Sequence, residues 1–119
     1  MLEPKNLEED LEKLKTFLTE NNVSLTMTDA DDNYTDLHTG EIVISNNQPL
    51  EIILYTMLHE IGHYFLDHHH DTTTNVGTLI EEVLAWDRGY DIACALSIEI
   101  DDDRWTTLME DCIRQYMEQ

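Results

Sequence analysis

The residues best suited to chemistry are His59-Glu60-Ile61-Gly62-His63, a His-Glu-x-x-His pattern. On a helix, positions i and i+4 leave the same face one turn apart. Two imidazoles so placed can reach one ion at about 2.0–2.1 Å. Zinc is the expected ion, because imidazole suits it and the chain has no thiolate cluster. Glu60 lies one residue further round the helix. It is too far round to join the same bite, but it is placed to take a proton from a metal-activated water. Such a site needs a third ligand from elsewhere in the chain.

Two residues compete for that place. Thr78 to Ile98 reads as a helix with Leu79, Val83, Trp86, Tyr90, Ala93 and Cys94 on its inner face. Glu82 falls on the shoulder of that face and Glu81 points almost directly away. Ala85 and Gly89 share the side of Glu82, and both are small enough to let another helix approach closely. The alternative is His69, six residues after His63, at the third-ligand offset of the metzincin pattern. That pattern needs Gly three residues after its second histidine, and Leu66 stands there. The run His68-His69-His70 reads instead as a solvated helix end, favourable to the helix dipole when charged. Glu82 is therefore the expected third ligand.

The frame follows from periodicity. Pro4 to Asn22 is an amphipathic helix with Leu7, Leu11, Leu14, Phe17 and Leu18 at helical steps, Pro4 in its first turn and Asn21-Asn22 as its stop. Val23 to Thr28 alternates as a half-buried strand. Asp29 to Asn33 is a loop whose acids lack the glycine and closing glutamate of a calcium loop. A short strand over Tyr34 to Leu37, a turn at His38-Thr39-Gly40 and a strong strand over Glu41 to Ser45 come next. A polar cap before Pro49 opens a helix reaching about Asp67. At about 100° per residue, Leu50, Ile53, Leu54, Met57, Leu58, Ile61 and Phe65 form its core face. His59 and His63 lie opposite, and Gly62 leaves room for a close neighbour. A last helix, capped by Asp101 or Asp102 and running to about Glu118, packs Trp105, Leu108, Met109, Cys112, Ile113 and Tyr116.

Composition sets limits on function. The 119 residues suit one small domain over 1–119, able to form a core without disulfides. With 26 acidic and 6 basic residues the net charge is −20, a field that repels phosphate backbones and favours a basic partner. Direct nucleic-acid binding is not expected on that ground. No apolar run is long enough for a membrane span and no signal peptide is evident, so a cytoplasmic protein is expected. Cys94 and Cys112 read as reduced, buried residues, with a bridge between the last two helices as the alternative.

His59-Glu-Ile-Gly-His63-Tyr-Phe-Leu, followed by Glu82-x-x-Ala85-Trp86 and preceded by the strand Ile42-Val-Ile44, resembles the ImmA/IrrE family of small bacterial and phage-related zinc peptidases. More broadly it is similar to the gluzincin arrangement, and the likeness spans Glu41 to Leu96. The resemblance implies zinc held by His59, His63 and Glu82, with Glu60 as general base for hydrolysis of a peptide bond in a protein partner, such as a bacterial or phage regulatory protein. It implies an α+β, minimal zincin-like fold: an N-terminal helix, a small mostly antiparallel sheet, the His-Glu-x-x-His helix, the third-ligand helix and a C-terminal helix. Tyr64, His68, His69 and Tyr90 are candidate oxyanion donors, and the strand Glu41 to Ser45 is a candidate edge for a substrate chain. Two other readings stand beside the peptidase. One is a catalytically silent binding protein of the same fold. The other is an acidic mimic of nucleic acid that antagonises a basic DNA-binding protein.

Overall fold

The computed structural model describes residues 6–36, 38–66 and 75–117. The element order is α1 (Leu7–Glu20), β1 (Ser24–Thr28), β2 (Tyr34–Asp36), β3 (Glu41–Ser45), α2 (Leu50–Tyr64), α3 (Asn75–Ala95) and α4 (Asp102–Met117). The architecture is α+β. His68, His69 and His70 lie outside the described residues.

Local chemistry explains the helix ends. Asn6 caps α1, its side-chain oxygen accepting from the Glu9 N–H at 3.0 Å, and Glu8, Glu9 and Asp10 complement the positive end of the dipole. The helix ends in a Schellman turn: Asn22 takes φ +58° and the Val23 N–H returns to the Leu18 carbonyl at 2.9 Å. Ser97 repeats this after α3, with φ +58° and an Ile98 N–H to Ala93 O bond of 2.8 Å. That turn ends α3 at Ala95 rather than at Ile98. Asp101 caps α4, accepting from the backbone of Asp103 and Arg104. Pro49 itself occupies the cap position of α2 and makes no side-chain cap bond. The polar residues before it serve the neighbouring loop instead: Asn47 donates to the Asp29 carbonyl and Gln48 to Asn33 and the Ser45 carbonyl.

The sheet corrects one expectation. Its order is β1-β3-β2. β1 pairs with β3 in parallel over Ser24↔Glu41 to Thr28↔Ser45, whereas β2 pairs with β3 antiparallel over the shorter run Tyr34↔Val43 to Asp36↔Glu41. The sheet is thus mixed, not mostly antiparallel. β3 is its centre and has no free edge for a substrate chain; the edges are β1 and β2. Alternation of apolar residues fixes which face of a strand is buried and not the direction of its neighbour, which is why the pattern misled. The β2–β3 hairpin closes on Gly40, whose φ of +72° an L side chain rarely adopts. Asp36 builds the turn by accepting from the backbone N–H groups of His38 and Thr39, which hold its carboxyl below the usual range.

α2 is the centre of the molecule. Ile53, Leu54, Met57, Leu58 and Ile61 face a core shared with Leu14 and Leu18 of α1 and Ile42 and Ile44 of β3. Fully burying each such side chain contributes roughly 1.5–3 kcal/mol. α2 is also covered on its other sides, by α3 and by β2. Tyr55 is fully buried and its hydroxyl accepts from the Asp101 N–H at 2.9 Å. Trp105 of α4 meets Tyr55 and Trp86 edge-on, at ring separations of 5.6 and 4.9 Å, and so ties α4 to the α2–α3 pair.

On α3 the inner face is narrower than the helical wheel suggests. Trp86 and Ala93 are buried, but Val83 and Cys94 are exposed. Cys94 and Cys112 are free thiols; Cys112 alone is partly buried. Among the described residues no helix is long and apolar enough to cross a membrane.

Candidate metal centre

The site forms where α2 and α3 cross, and glycines permit the crossing. A Cβ on Gly62 would lie 2.0 Å from the Ala85 carbonyl oxygen, and one on Gly89 would lie 2.5 Å from the Leu58 carbonyl oxygen. Both are backbone atoms of the facing helix. The small side containing Ala85 and Gly89 therefore meets the small position Gly62, as their sizes suggest.

This contact brings three side chains together. The Glu82 carboxylate accepts from both imidazoles through Oε2, at 2.9 Å from His59 Nε2 and 2.7 Å from His63 Nε2. His59 is 7% exposed and Glu82 6%, while His63 is half-buried. Burial opposes protonation of His63. The hydrogen bond and charge of Glu82, with the charges of Glu60 and Glu81, outweigh it and raise the imidazole above its ordinary value.

The donor set fits zinc. Two imidazoles and a carboxylate are common zinc donors, and bonds of about 2.0–2.1 Å put tetrahedral ligand atoms about 3.3 Å apart. Distances of 2.7 and 2.9 Å leave the carboxylate only a short withdrawal to make. The candidate ligands His59, His63 and Glu82 are thus adjacent in space, although 19 residues separate the latter two.

Glu60, the candidate base, is 6% exposed. Its Oε2 lies 3.6 Å from His59 Nδ1. The Thr35 hydroxyl on β2 lies 2.7 Å from Glu60 Oε1 and 3.0 Å from its backbone carbonyl. Having one proton, it donates to one of them at a time. This holds the carboxylate beside the histidines.

Glu81 departs from expectation. It is 4% exposed instead of turned out to solvent, and its charge acts on His63. A helical wheel gives the direction of a side chain but not how deeply its helix is sunk. Tyr90 is also removed from the chemistry: it lies about 12 Å along α3 from Glu82, at about 1.5 Å per residue, and its hydroxyl donates to Asp102 at 2.8 Å. Tyr64, at the end of α2, has its ring against Gly40.

Three neighbours of the site were not visible in the sequence pattern. Thr35 is one. Trp86 is the second: its ring stacks on His59 at 4.2 Å and 9°, covering one face of the imidazole and limiting its rotation. The third is Cys112 on α4. Its sulfur, a ring nitrogen of His59 and a carboxylate oxygen of Glu82 lie within 4.8 Å of one another. Burial pushes the Cys112 thiol up, as do the charges of Glu82 and Glu60, while the Trp86 indole acts in the opposite sense. Periodicity assigns Trp86 and Cys112 to the core; Trp86 lies in it and Cys112 packs against it, and only the tertiary fold brings them to the histidines.

A model of the Peptidase_M78 family, described as the IrrE N-terminal-like domain, matches residues 11–84. The match contains His59, Glu60, His63 and Glu82 and stops short of α4. Searches of curated proteins and of solved structures returned no match.

Proposed function

The chain belongs to the Peptidase_M78 family of IrrE N-terminal-like domains, and from that premise we propose a zinc-dependent peptidase that cleaves a protein or peptide partner. The observation that carries the reading is the convergence of His59, His63 and Glu82 at a buried helix crossing, with Glu60 beside them. His59, His63 and Glu82 would hold the ion. When bound, zinc supplies Lewis acidity that acidifies a water and polarises a carbonyl.

The chain's own residues do the rest. Glu60 takes the proton from the attacking water and passes it to the departing amine. Thr35 keeps the Glu60 carboxylate oriented, and Trp86 keeps the His59 ring in plane. β2 is an edge strand packed against α2. A substrate chain adding to its outer edge would pass the end of the site that Thr35 and Glu60 occupy, with main-chain hydrogen bonds supplying affinity. The charge of −20 favours a basic partner.

Two measurements test this. Purified protein should take up one zinc per chain, and Glu60→Gln should keep that zinc while losing cleavage of a mixed peptide library by at least about 10²-fold. No zinc uptake, or undiminished cleavage by Glu60→Gln, refutes the peptidase. The same charge supports the second reading, an acidic antagonist of a basic DNA-binding protein. That reading requires salt-sensitive association with the partner, indifferent to a chelator.

A further inference from the structure

The proposed zinc site uses three side chains, all within the family match. α4 lies beyond that match and delivers a fourth donor. We propose that Cys112 is a protein ligand to the same ion, so that the centre in this chain has a His59, His63, Glu82 and Cys112 donor set closed by α4. The inference rests on the zinc reading and extends it.

Two independent observations support it. The first is position. The Cys112 sulfur, a ring nitrogen of His59 and a carboxylate oxygen of Glu82 lie within 4.8 Å of one another, close enough to share one metal. Thiolate binds zinc at about 2.3 Å, so a tetrahedral site spaces sulfur about 3.5 Å from its nitrogen and oxygen neighbours. For these three atoms that requires a closing movement of at most about 1.3 Å. His63 joins through Glu82, whose Oε2 already meets both rings.

The second observation is Trp86. It is 4% exposed, and its indole Nε1 is buried with no hydrogen-bond partner among the described residues. Leaving such a donor unpaired costs about 1–3 kcal/mol. The same indole lies beside the Cys112 sulfur, and its ring stacks on His59. A thiolate at Cys112 would give this N–H an acceptor, as outer donors commonly do for metal-bound groups.

The competing account is packing. Cys112 borders the hydrophobic core, one turn beyond Leu108 and Met109, and a cysteine is a good small apolar filler. Packing accounts for the partial burial of Cys112. It does not account for a sulfur beside two of the three other donors, or for an indole N–H left without an acceptor. Four protein ligands make a closed zinc site, whereas three leave a position for water or substrate. Cys112 therefore takes the position that a three-ligand site leaves to water or substrate.

The test replaces zinc by cobalt(II) in the full chain. Cobalt bound by sulfur shows a near-ultraviolet charge-transfer band in addition to the visible bands of a tetrahedral ion. Wild type should show both, and Cys112→Ser should keep the visible bands and lose the charge-transfer band. Cys94→Ser, at an exposed position, should keep both. A measurement on the unaltered chain guards against misfolding of the variant: zinc should protect Cys112, and not Cys94, from alkylation by iodoacetamide, read by peptide mass mapping. Tetrahedral cobalt without the charge-transfer band in wild type overturns the fourth ligand and leaves the zinc peptidase standing. Equal alkylation of Cys112 with and without bound zinc also overturns it. Failure to bind either metal overturns both readings.

Discussion

Gly62→Ala tests whether the close crossing of α2 and α3 sets the site. The added Cβ would lie 2.0 Å from the Ala85 carbonyl oxygen, 2.8 Å from its carbonyl carbon and 3.1 Å from the Gly89 nitrogen. A carbon–oxygen contact normally settles at about 3.3–3.6 Å, so one helix must move by roughly 1.3 Å or more. All three obstructing atoms are backbone, so no rotamer change relieves the clash. Overpacking of this kind costs about 1–3 kcal/mol, occasionally more. The better helix propensity of alanine returns at most about 1 kcal/mol. A net loss near 2 kcal/mol corresponds to a fall in Tm of roughly 6–12 °C for a small domain. The metal site is affected more severely, because metal ligands tolerate about ±0.2 Å and the shift moves Glu82 away from both histidines. Urea unfolding of metal-free protein should give a lower midpoint, and competition with a chromophoric chelator should show zinc affinity reduced well beyond that stability loss. Gly40→Ala is the control. It imposes strain at φ +72° and costs about 1–2 kcal/mol, but it lies outside the crossing and should leave zinc affinity unchanged. If Gly62→Ala is as stable as the parent and binds zinc equally well, the argument from helix proximity is wrong.

The other predictions separate the carboxylates and their supports. Glu82→Gln should abolish stoichiometric zinc binding, measured by elemental analysis after gel filtration, whereas Glu81→Gln should retain it, because the imidazoles meet Glu82. Retention by the first and loss by the second would mean that the ligand on α3 is misassigned. Thr35→Val removes the hydroxyl 2.7 Å from Glu60 Oε1 with little change of shape. A hydrogen bond to a charged group contributes about 1.5–3 kcal/mol, so kcat of peptide cleavage should fall about tenfold or more with zinc content and KM unchanged. A fall in zinc content instead would make Thr35 a support of the fold, not of the base.

What was legible in the sequence was what one element encodes by itself. β3 spans Glu41–Ser45 as its apolar run indicates, and α1 stops at Asn21-Asn22 because asparagine tolerates the left-handed turn. The placement of Glu82 opposite His59 and His63 also followed from helical phase, since α2 and α3 are each continuous helices of several turns. Parallel pairing of β1 with β3 was not legible, because each strand reads the same in either direction. Depth was not legible either: Glu81 is enclosed while Val83 and Cys94 are exposed. Ser97 carries the αL turn that ends α3, a place where glycine is the usual signal. Thr35 and Cys112 reach the site from elements 25 residues before Glu60 and a full helix after Glu82. No periodicity relates them, and only the packing of β2 and α4 around α2 brings them there.

The charge pattern of the site bears on why a helix buried on all sides carries polar residues at all. Glu60, Glu81 and Glu82 are each nearly enclosed, and all three act on the His63 imidazole. Burying carboxylates is costly unless positive charge or hydrogen bonds answer them. In the metal-free chain His63 contributes by holding its proton more strongly, and Thr35 contributes a hydrogen bond to Glu60. A dication answers more of this charge than one proton does. Binding that favours the folded chain adds RT ln(1 + [L]/Kd) to its stability, about 2.7 kcal/mol when free zinc is a hundred times Kd. That figure is comparable to the loss worked out for Gly62→Ala. If zinc binds as proposed, it should therefore also stabilise the core: amide hydrogen exchange in α3 and α4 should speed up together when zinc is removed, and unchanged exchange would refute that coupling.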